Sequence, residues 1–311
     1  VCSVLEVAVP VISYKGDVIS RIFPRSLIPW KIFQAKDRTV FIACIEQDQW
    51  ERLVEFMGNP EWASLELFLD QPGRAENQDM VHAMVQEFVG EWLAEDLNHA
   101  AQRQGVTLMI AYCMRFHPLI TQLKEALDAR IAGDLFQISI WTEQHTERQP
   151  DSWMCRAETL GGGQLFSHGC HYIDLLLWFL GQPLRGMHMG TNLGTPCMER
   201  EGTSNVCLEF SQGRLGYHFG TWGARGSRLR YTVHAHCEEG LLEADISGKQ
   251  LILHRGSERQ IFYQLAHSGK HTENEMSHFL DCVEKGEAPL TSGPSALRSL
   301  RAIWRLYEAE E

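Results

Sequence analysis

The sequence lacks the features that mark several common classes of protein. Nine cysteines are scattered along 311 residues without a single Cys-x-x-Cys pair, so neither a disulfide framework nor a thiolate zinc site is predicted. No apolar run is long enough to span a bilayer, and the first residues lack the charged start and cleavage site of a signal peptide. Internal repeats and low-complexity tracts are absent too. These absences favour a globular protein of the reducing cytoplasm.

Positive charge is also scarce. The chain has 28 lysines and arginines against 40 acidic residues, which gives a formal net charge of −12. Such a charge repels phosphate backbones and anionic lipid surfaces. We therefore expect no nucleic acid and no membrane among the partners.

A glycine-rich phosphate loop is missing as well, since no Gly-x-Gly-x-x-Gly occurs anywhere in the chain. A dinucleotide-binding fold would alternate strands, glycine turns and helices. The first hundred residues instead predict one short strand, 40–44, and then mostly helices. Asp48 is the predicted cap of the first of these, and the others cover 77–90 and 94–104.

From residue 106 onward the pattern changes. Residues 106–112 form a continuous apolar run, which favours a strand buried on both faces of a parallel sheet. A helix with Pro118 in its first turn follows. Alternating apolar and polar residues then predict strands over 136–140, 206–210 and 229–237, before two closing helices. The predicted fold class is α+β, with a mainly helical N-terminal region followed by a largely antiparallel sheet domain flanked by helices.

One stretch, GGGQLFSHGCHYIDLLLWFLG at 161–181, combines three glycines with polar side chains in front of an apolar helix. Ser167 and His171 are four residues apart, and His171 and Asp174 are three apart, so these side chains are predicted to share one helical face. A histidine titrates near neutrality and can exchange a proton with a substrate hydroxyl while neighbouring oxygen atoms orient both groups. The face is therefore a candidate active site.

Two other interpretations of this stretch stay open. In the first, Ser167 caps the backbone, and His171 and Asp174 are hydrogen-bonded core residues. In the second, His168, His171 and Asp174 ligate a metal ion. Because histidines at i and i+3 do not complete a first coordination shell, we predict no metal.

The stretch resembles the C-terminal domain of the Gfo/Idh/MocA family of glucose-fructose oxidoreductase and inositol dehydrogenase, whose motif runs three glycines, three residues, Asp, then Gly and His. Three further segments agree in order and spacing, so the likeness covers about residues 97–311. They are GVTLMIAYCMRFHP at 105–118, EEGLLEADISGKQLILHRG at 238–256 and ENEMSHFLDCVEKGEAPLTSGPSALRSLRAIWRLYEA at 273–309.

The resemblance implies that NAD or NADP takes a hydride from a sugar-like or polyol carbon, with His171 as the acid or base for the hydroxyl. The family's aspartate is Ser167 here, which keeps an oxygen but loses a charge. Asp174 also matches and would position the substrate with Ser167. His168 and Arg115 are candidate substrate-binding residues, although a solvated or structural arginine is the open alternative. The family also implies a homo-oligomer formed through the sheet domain.

Residues 1–105 resemble a different family, the class III CoA-transferases (CaiB/BaiF), in which an aspartate forms a mixed anhydride and then a thioester with CoA. That aspartate would lie upstream of Val1, so none is assigned here. CoA is therefore the alternative cofactor, and CoA transfer between carboxylates the alternative function. The matching segments are VCSVLEVAVPVI, IPWKIFQAKDRTVFIACIEQDQWERLVEFMGNPEWA and GRAENQDMVHAMVQEFVGEWL.

Together the two resemblances predict two domains, residues 1–105 and 106–311. A complete oxidoreductase of this kind would begin with a dinucleotide-binding domain and a Glu-Lys-Pro segment, and the chain has neither. We expect an incomplete oxidoreductase with little activity alone, whose start at Val1 falls partway through a longer gene; a non-catalytic binding or assembly module is the third possibility. The strand at 106–112 should then be covered by residues 1–93 or by another subunit.

Overall fold

The computed structural model describes residues 28–36, 39–44, 47–93, 96–97 and 109–310. Contacts divide the chain into two compact units, Val1–Leu108 and Met109–Glu311. The first unit is mainly helical and the second is built on a large sheet with helices, which confirms the predicted fold class. Most of the predicted helix 94–104 and the start of the predicted strand 106–112 lie outside the described residues, as does the segment VCSVLEVAVPVI.

The first unit combines a two-stranded antiparallel sheet with short helices. Its core is formed where the buried valines of the fourth helix, Val81, Val85 and Val89, pack with Trp50 and Phe68. The elements are β1 (Trp30–Gln34), β2 (Thr39–Ala43), α1 (Gln47–Phe56), α2 (Glu66–Leu69), α3 (Gln71–Glu76) and α4 (Gln78–Gly90).

The structure corrects the predicted N-terminal cap of α1. Asp48 lies inside the first turn of the helix rather than in front of it. A carboxylate at that position is still favourable, because it faces the positive end of the helix dipole. The end of the helix agrees with the sequence, since Gly58 takes a φ of 84° just beyond Phe56.

The second unit contains an eight-stranded sheet in the order β10-β9-β8-β7-β3-β6-β5-β4. Every neighbouring pair is antiparallel except β3 and β6, which run parallel. The strands are β3 (Leu135–Glu143), β4 (Pro183–Thr191), β5 (Thr203–Phe210), β6 (Leu215–Thr221), β7 (Tyr231–Cys237), β8 (Gly240–Asp245), β9 (Gln250–Arg255) and β10 (Glu258–Gln264).

Helices of the second unit cover one face of this sheet. The most apolar of them contacts β6 and the C-terminal helix, and its Ile173 and Leu176 are fully buried in the same core as Ile138 and Ile140 of β3. No helix in the described ranges is long and apolar enough to cross a membrane. The helices are α5 (Pro118–Asp128), α6 (Ala157–Leu160), α7 (Cys170–Leu180), α8 (Thr272–Lys285) and α9 (Gly293–Glu308).

The strand predicted over 106–112 is wrong for its described part. Met109 makes an isolated bridge with Ser292, and the Ile110 N–H donates to the Thr291 carbonyl at 2.9 Å. Ala111 is exposed, so this segment is not enclosed on both faces. A parallel strand needs neighbours on both sides, and here the segment pairs only with the loop that precedes α9. Its covering by residues 1–93 or by another subunit stays a prediction.

Candidate active site

The three glycines of the motif allow the backbone to pass very close to two side chains. A Cβ atom on Gly163 would lie 2.0 Å from Oε2 of Glu201, and one on Gly162 would lie 2.3 Å from Cβ of Phe166. Gly161 ends α6 with a φ of 78°, a conformation that favours glycine. The glycines are therefore needed for close approach, and they bring the chain against Glu201.

The hydroxyl of Tyr307 holds this glycine turn in place. It donates to Oε1 of Glu201 at 2.6 Å and accepts from the backbone N–H groups of Gly163 and Phe166 at 3.2 and 3.3 Å. Burial, together with the charge of Glu201, raises the pKa of Tyr307, so the hydroxyl keeps its proton. The Glu201 carbonyl also accepts from Gln164 N at 2.7 Å. Sequence reasoning missed both side chains, because they lie far from the motif along the chain.

The polar part of the motif begins with a π-helical turn, Leu165–Gly169, which runs directly into α7. This turn changes the rotation between Ser167 and His171 from that of an α-helix, and the shared face of this pair stays a prediction. In the described part of the chain no hydrogen bond joins the Ser167 hydroxyl to His171. Ser167 is half-buried. Turns of this kind occur frequently at functional sites.

His171 lies in the first turn of α7 and is half-buried rather than sealed in the core. Its ring centre lies 5.8 Å from that of Tyr112 and 6.5 Å from that of His168. Nδ1 is buried and has no hydrogen-bond partner among the described residues. Burial first, and then the positive charge of Lys270, lower the pKa of His171 to about 4. The imidazole is therefore neutral near neutral pH and able to accept a proton.

His168 belongs to a cluster of rings behind His171. The rings of Tyr172 and Tyr231 lie 5.3 and 5.9 Å from it, and its Nδ1 lies 3.4 Å from Nε2 of the fully buried Gln164. Burial lowers the pKa of His168 to about 4 as well, with smaller contributions from His171 and Lys270. Two neutral imidazoles thus stand side by side at this end of α7.

Asp174 and Arg115 form a buried ion pair with each other. Arg115 donates from Nε at 2.6 Å and from Nη2 at 2.7 Å, and the two side chains are 5% and 0% exposed. Ser299 adds a third donor to Asp174 at 2.9 Å, and Arg115 also donates to the Leu290 carbonyl. With their hydrogen-bonding groups used in this way, the pair joins three segments of the second unit. This geometry fits the alternative of a structural arginine, with the carboxylate of Asp174 fully buried.

Two further titratable groups near the motif gave no signal in the sequence. Glu275 in α8 is 8% exposed, its Oε1 has no hydrogen-bond partner in the ranges described, and burial raises its pKa to about 7. Its charge and that of Lys270 both act on the thiol of Cys113. Lys270 comes from the loop between β10 and α8, which sequence periodicity could not place beside α7.

Comparison with known proteins found a family model that matches each of the two parts of the chain. Residues 120–243 match the family model of the GFO/IDH/MocA C-terminal domain, and residues 8–114 match that of CoA-transferase family III. Both resemblances seen in the sequence are thereby confirmed, each over its own part of the chain.

The curated relatives are longer than this chain. D-xylose 1-dehydrogenase (NADP(+)) 2 of Haloferax volcanii is 26% identical over 217 residues, which are 67% of this chain and 63% of the relative. Rhizopine catabolism protein MocA of Rhizobium meliloti is 30% identical over 95 residues, 30% of this chain and 28% of the relative. The chain therefore spans less than two thirds of each relative's length.

Solved structures share the fold at low sequence identity. Aldose-aldose oxidoreductase from Caulobacter crescentus, complexed with glycerol, is 19% identical with a TM-score of 0.61, over 70% of this chain and 67% of that one. Levoglucosan dehydrogenase, in complex with NADH and levoglucosan, is 16% identical with a TM-score of 0.61, over 70% and 68% of the two chains. At these identities the likeness supports the fold alone.

Replacing Tyr307 with phenylalanine tests the glycine turn. Y307F removes the acceptor of the Gly163 and Phe166 N–H groups and one donor to the Glu201 carboxylate, which keeps the N–H of Leu165 at 3.3 Å, so we expect the free energy of unfolding to fall by about 2 kcal/mol. Urea unfolding followed by circular dichroism measures it. The matched control is Y217F, which removes one hydroxyl that donates only to Asn205, and it should cost less than about 1 kcal/mol. Equal losses in the two variants would contradict the assignment.

Proposed function

We propose a function that starts from the identity of the second unit, which carries the C-terminal domain of the Gfo/Idh/MocA oxidoreductase family. In this proposal residues 106–311 are the substrate domain for the NAD(P)-linked oxidation or reduction of a sugar-like or polyol hydroxyl. His171 is its acid or base. The observation that carries the proposal is a neutral, half-buried imidazole held at the start of α7.

The proton chemistry follows from the two nitrogen atoms of His171. Nδ1 is buried, so Nε2 is the atom proposed to meet the substrate. As the substrate carbon is oxidised, Nε2 accepts the hydroxyl proton; in reduction the same atom returns it. A pKa of about 4 keeps the ring ready to accept this proton, but it also makes the ring a weak base. Any anionic group that approaches His171 would raise this pKa and strengthen the base.

Other residues are proposed to assist Nε2 of His171 in different ways. The half-buried hydroxyl of Ser167 is proposed to hydrogen-bond the substrate in place of the family's aspartate, without its charge. His168 is proposed to line the substrate side beside His171. Arg115 and Asp174 are positioning residues, because their ion pair fixes α7 and with it the direction of His171.

The nicotinamide nucleotide implied by the family does not fit the described residues. Its pyrophosphate needs backbone N–H groups of a glycine-rich loop at a helix N-terminus, and no such loop occurs in the sequence. Between residues 28 and 97, the described ranges hold an antiparallel pair of strands and short helices in place of parallel strands. The residues of this chain therefore account for the proton transfer of the proposed reaction but not for its hydride transfer.

The proposed oligomer is supported by the uncovered face of the sheet. Met187 and Met189 of β4 alternate with the buried His188, so they lie on the face away from the helices and are exposed. Leu215 at the start of β6 is exposed on the same face. Contiguous apolar surface of this kind favours association, and we propose a second copy of the chain as its partner.

Replacing His171 with asparagine tests the acid/base assignment. Binding of xylose, glycerol and related polyols to the purified chain is measured by saturation-transfer NMR. We expect H171N to weaken binding about fivefold, the effect of losing one hydrogen bond to a substrate hydroxyl. H267N, at an exposed histidine of the loop before α8, is the control and should leave binding unchanged. Unchanged binding in H171N would remove His171 from the site.

Nucleotide binding tests the division of labour between this chain and a cofactor domain. Energy transfer from the nine tryptophans to NADH should show no binding tighter than about 1 mM, because no phosphate loop is present. Tight NADH binding would overturn the assignment of the first unit. Covalent labelling of the chain by an acyl-CoA would instead favour the CoA-transferase alternative.

A further inference from the structure

An open groove of about 380 Å³ lies at the end of β3. One side is formed by Glu143, the last residue of that strand, and by Gln144 just beyond it; the other is formed by the loop 224–230 between β6 and β7. Arg225 and Arg230 of this loop line the groove. None of these residues was singled out by the sequence motifs.

The loop concentrates positive charge in a chain that is strongly acidic overall. Arg225, Arg228 and Arg230 are all exposed, and within the ranges that the structure describes none of their guanidinium groups has an ion-pair partner. Three neighbouring guanidinium groups repel one another. Acidic side chains that could pair with them are plentiful elsewhere in the chain, whose net charge is −12. The two arginines that line the groove are therefore free to bind an anion.

The loop is built rather than loose. The Glu143 carboxylate accepts from the Ser227 hydroxyl and from the backbone N–H groups of Leu229 and Arg230, the latter two at 3.3 and 3.0 Å. Its negative charge also lines the groove, its three donors all reach Oε2, and in the described residues no ion pair joins it to Arg225 or Arg230. Arg230 has a φ of 49°, a conformation that costs energy for a residue with a Cβ. The backbone of the loop thus fixes the positions from which the two arginine side chains extend.

The groove adjoins the group of rings that contains His168 and His171. Tyr231 lines it, and the Tyr231 hydroxyl donates to Gln144 on the opposite side. The Tyr231 ring lies 5.9 Å from that of His168, which lies 6.5 Å from that of His171. Two ring contacts, through Tyr231 and His168, therefore connect the lining of the groove to His171.

We infer that this groove binds the anionic group of the substrate, so that the substrate is a sugar or polyol carrying a carboxylate or a phosphate. Guanidinium groups bind both anions through paired, charge-assisted hydrogen bonds. The inference rests on the proposed function for the part played by His171, while the anion site rests on the loop alone.

Binding of matched ligands tests the inference. D-gluconate, D-glucose 6-phosphate and uncharged D-glucose are titrated into the purified chain by calorimetry at low salt. We expect at least one anionic ligand to bind about tenfold more tightly than glucose, the usual advantage of a charge-assisted pair. Preference for gluconate or for glucose 6-phosphate identifies the anion. Equal affinity for all three ligands would overturn the inference.

Variants of the loop 224–230 test where the anion binds. R225Q and R230Q together should abolish the tenfold preference, and both side chains are exposed, so the fold should tolerate them. R228Q removes the same charge from the same loop at a position outside the groove, and it should keep the preference. An equal loss in R228Q would show a diffuse electrostatic effect and contradict a built site.

Inorganic phosphate separates this inference from the proposed function. Phosphate has no sugar hydroxyl, so its affinity should fall in the R225Q/R230Q variant and stay unchanged in H171N. Gluconate affinity should fall in both. If H171N leaves gluconate binding unchanged while the arginine variant weakens phosphate binding, the role of His171 fails and the anion site stands. A phosphate affinity that is unchanged in the R225Q/R230Q variant would overturn the anion site itself.

Discussion

The ion pair between Arg115 and Asp174 is the contact on which the placement of His171 depends. Both charges are buried, and removing one partner of such a pair is costly because the other is left without compensation. Asp174 follows His171 by three residues on α7, so a bond that fixes the aspartate also fixes the histidine. Ser299 of α9 and the carbonyl of Leu290 complete the hydrogen bonding. The pair therefore restrains the rotation of α7 through two buried side chains.

A second constraint acts on the residues that precede His171 in the chain. The glycine turn fits only because Gly163 has no Cβ where Glu201 approaches, and the Tyr307 hydroxyl binds the turn and the carboxylate together. The π-helical turn lies between these two fixed points. His171 is thus held from both directions, and burial together with the positive charge of Lys270 lowers its pKa. Local packing, rather than a dedicated orienting carboxylate, determines its protonation.

Much of the second unit could be predicted from local pattern. Alternation over 206–210 and 229–237 predicted most of β5 and all of β7, and Pro118 marked the first residue of α5. The run 106–112 was misleading, because apolar residues predict burial but not the presence of a parallel neighbour. Spacing rules assume an α-helix, so they could not anticipate the π-helical turn.

The contacts that organise the site join residues far apart in the chain, and single-sequence reasoning has no signal for them. Glu201 and Tyr307 are 106 residues apart, and Arg115 and Asp174 are 59 apart. The arginines of the loop 224–230 show the same limit: their number is visible in the sequence, but the groove exists only because Glu143 of β3 holds the loop. Residue types predicted the chemistry of His171, and the tertiary contacts determine what it can reach.

The protonation state of His171 is the central claim, and a direct titration measures it. Imidazole nitrogen shifts are followed by NMR in chain labelled with ¹⁵N-histidine, with H171N assigning the signal. The account predicts a neutral ring from about pH 8 down to about pH 5, and a midpoint near 4. A midpoint at the usual value for histidine, about 6.5 or higher, would contradict it.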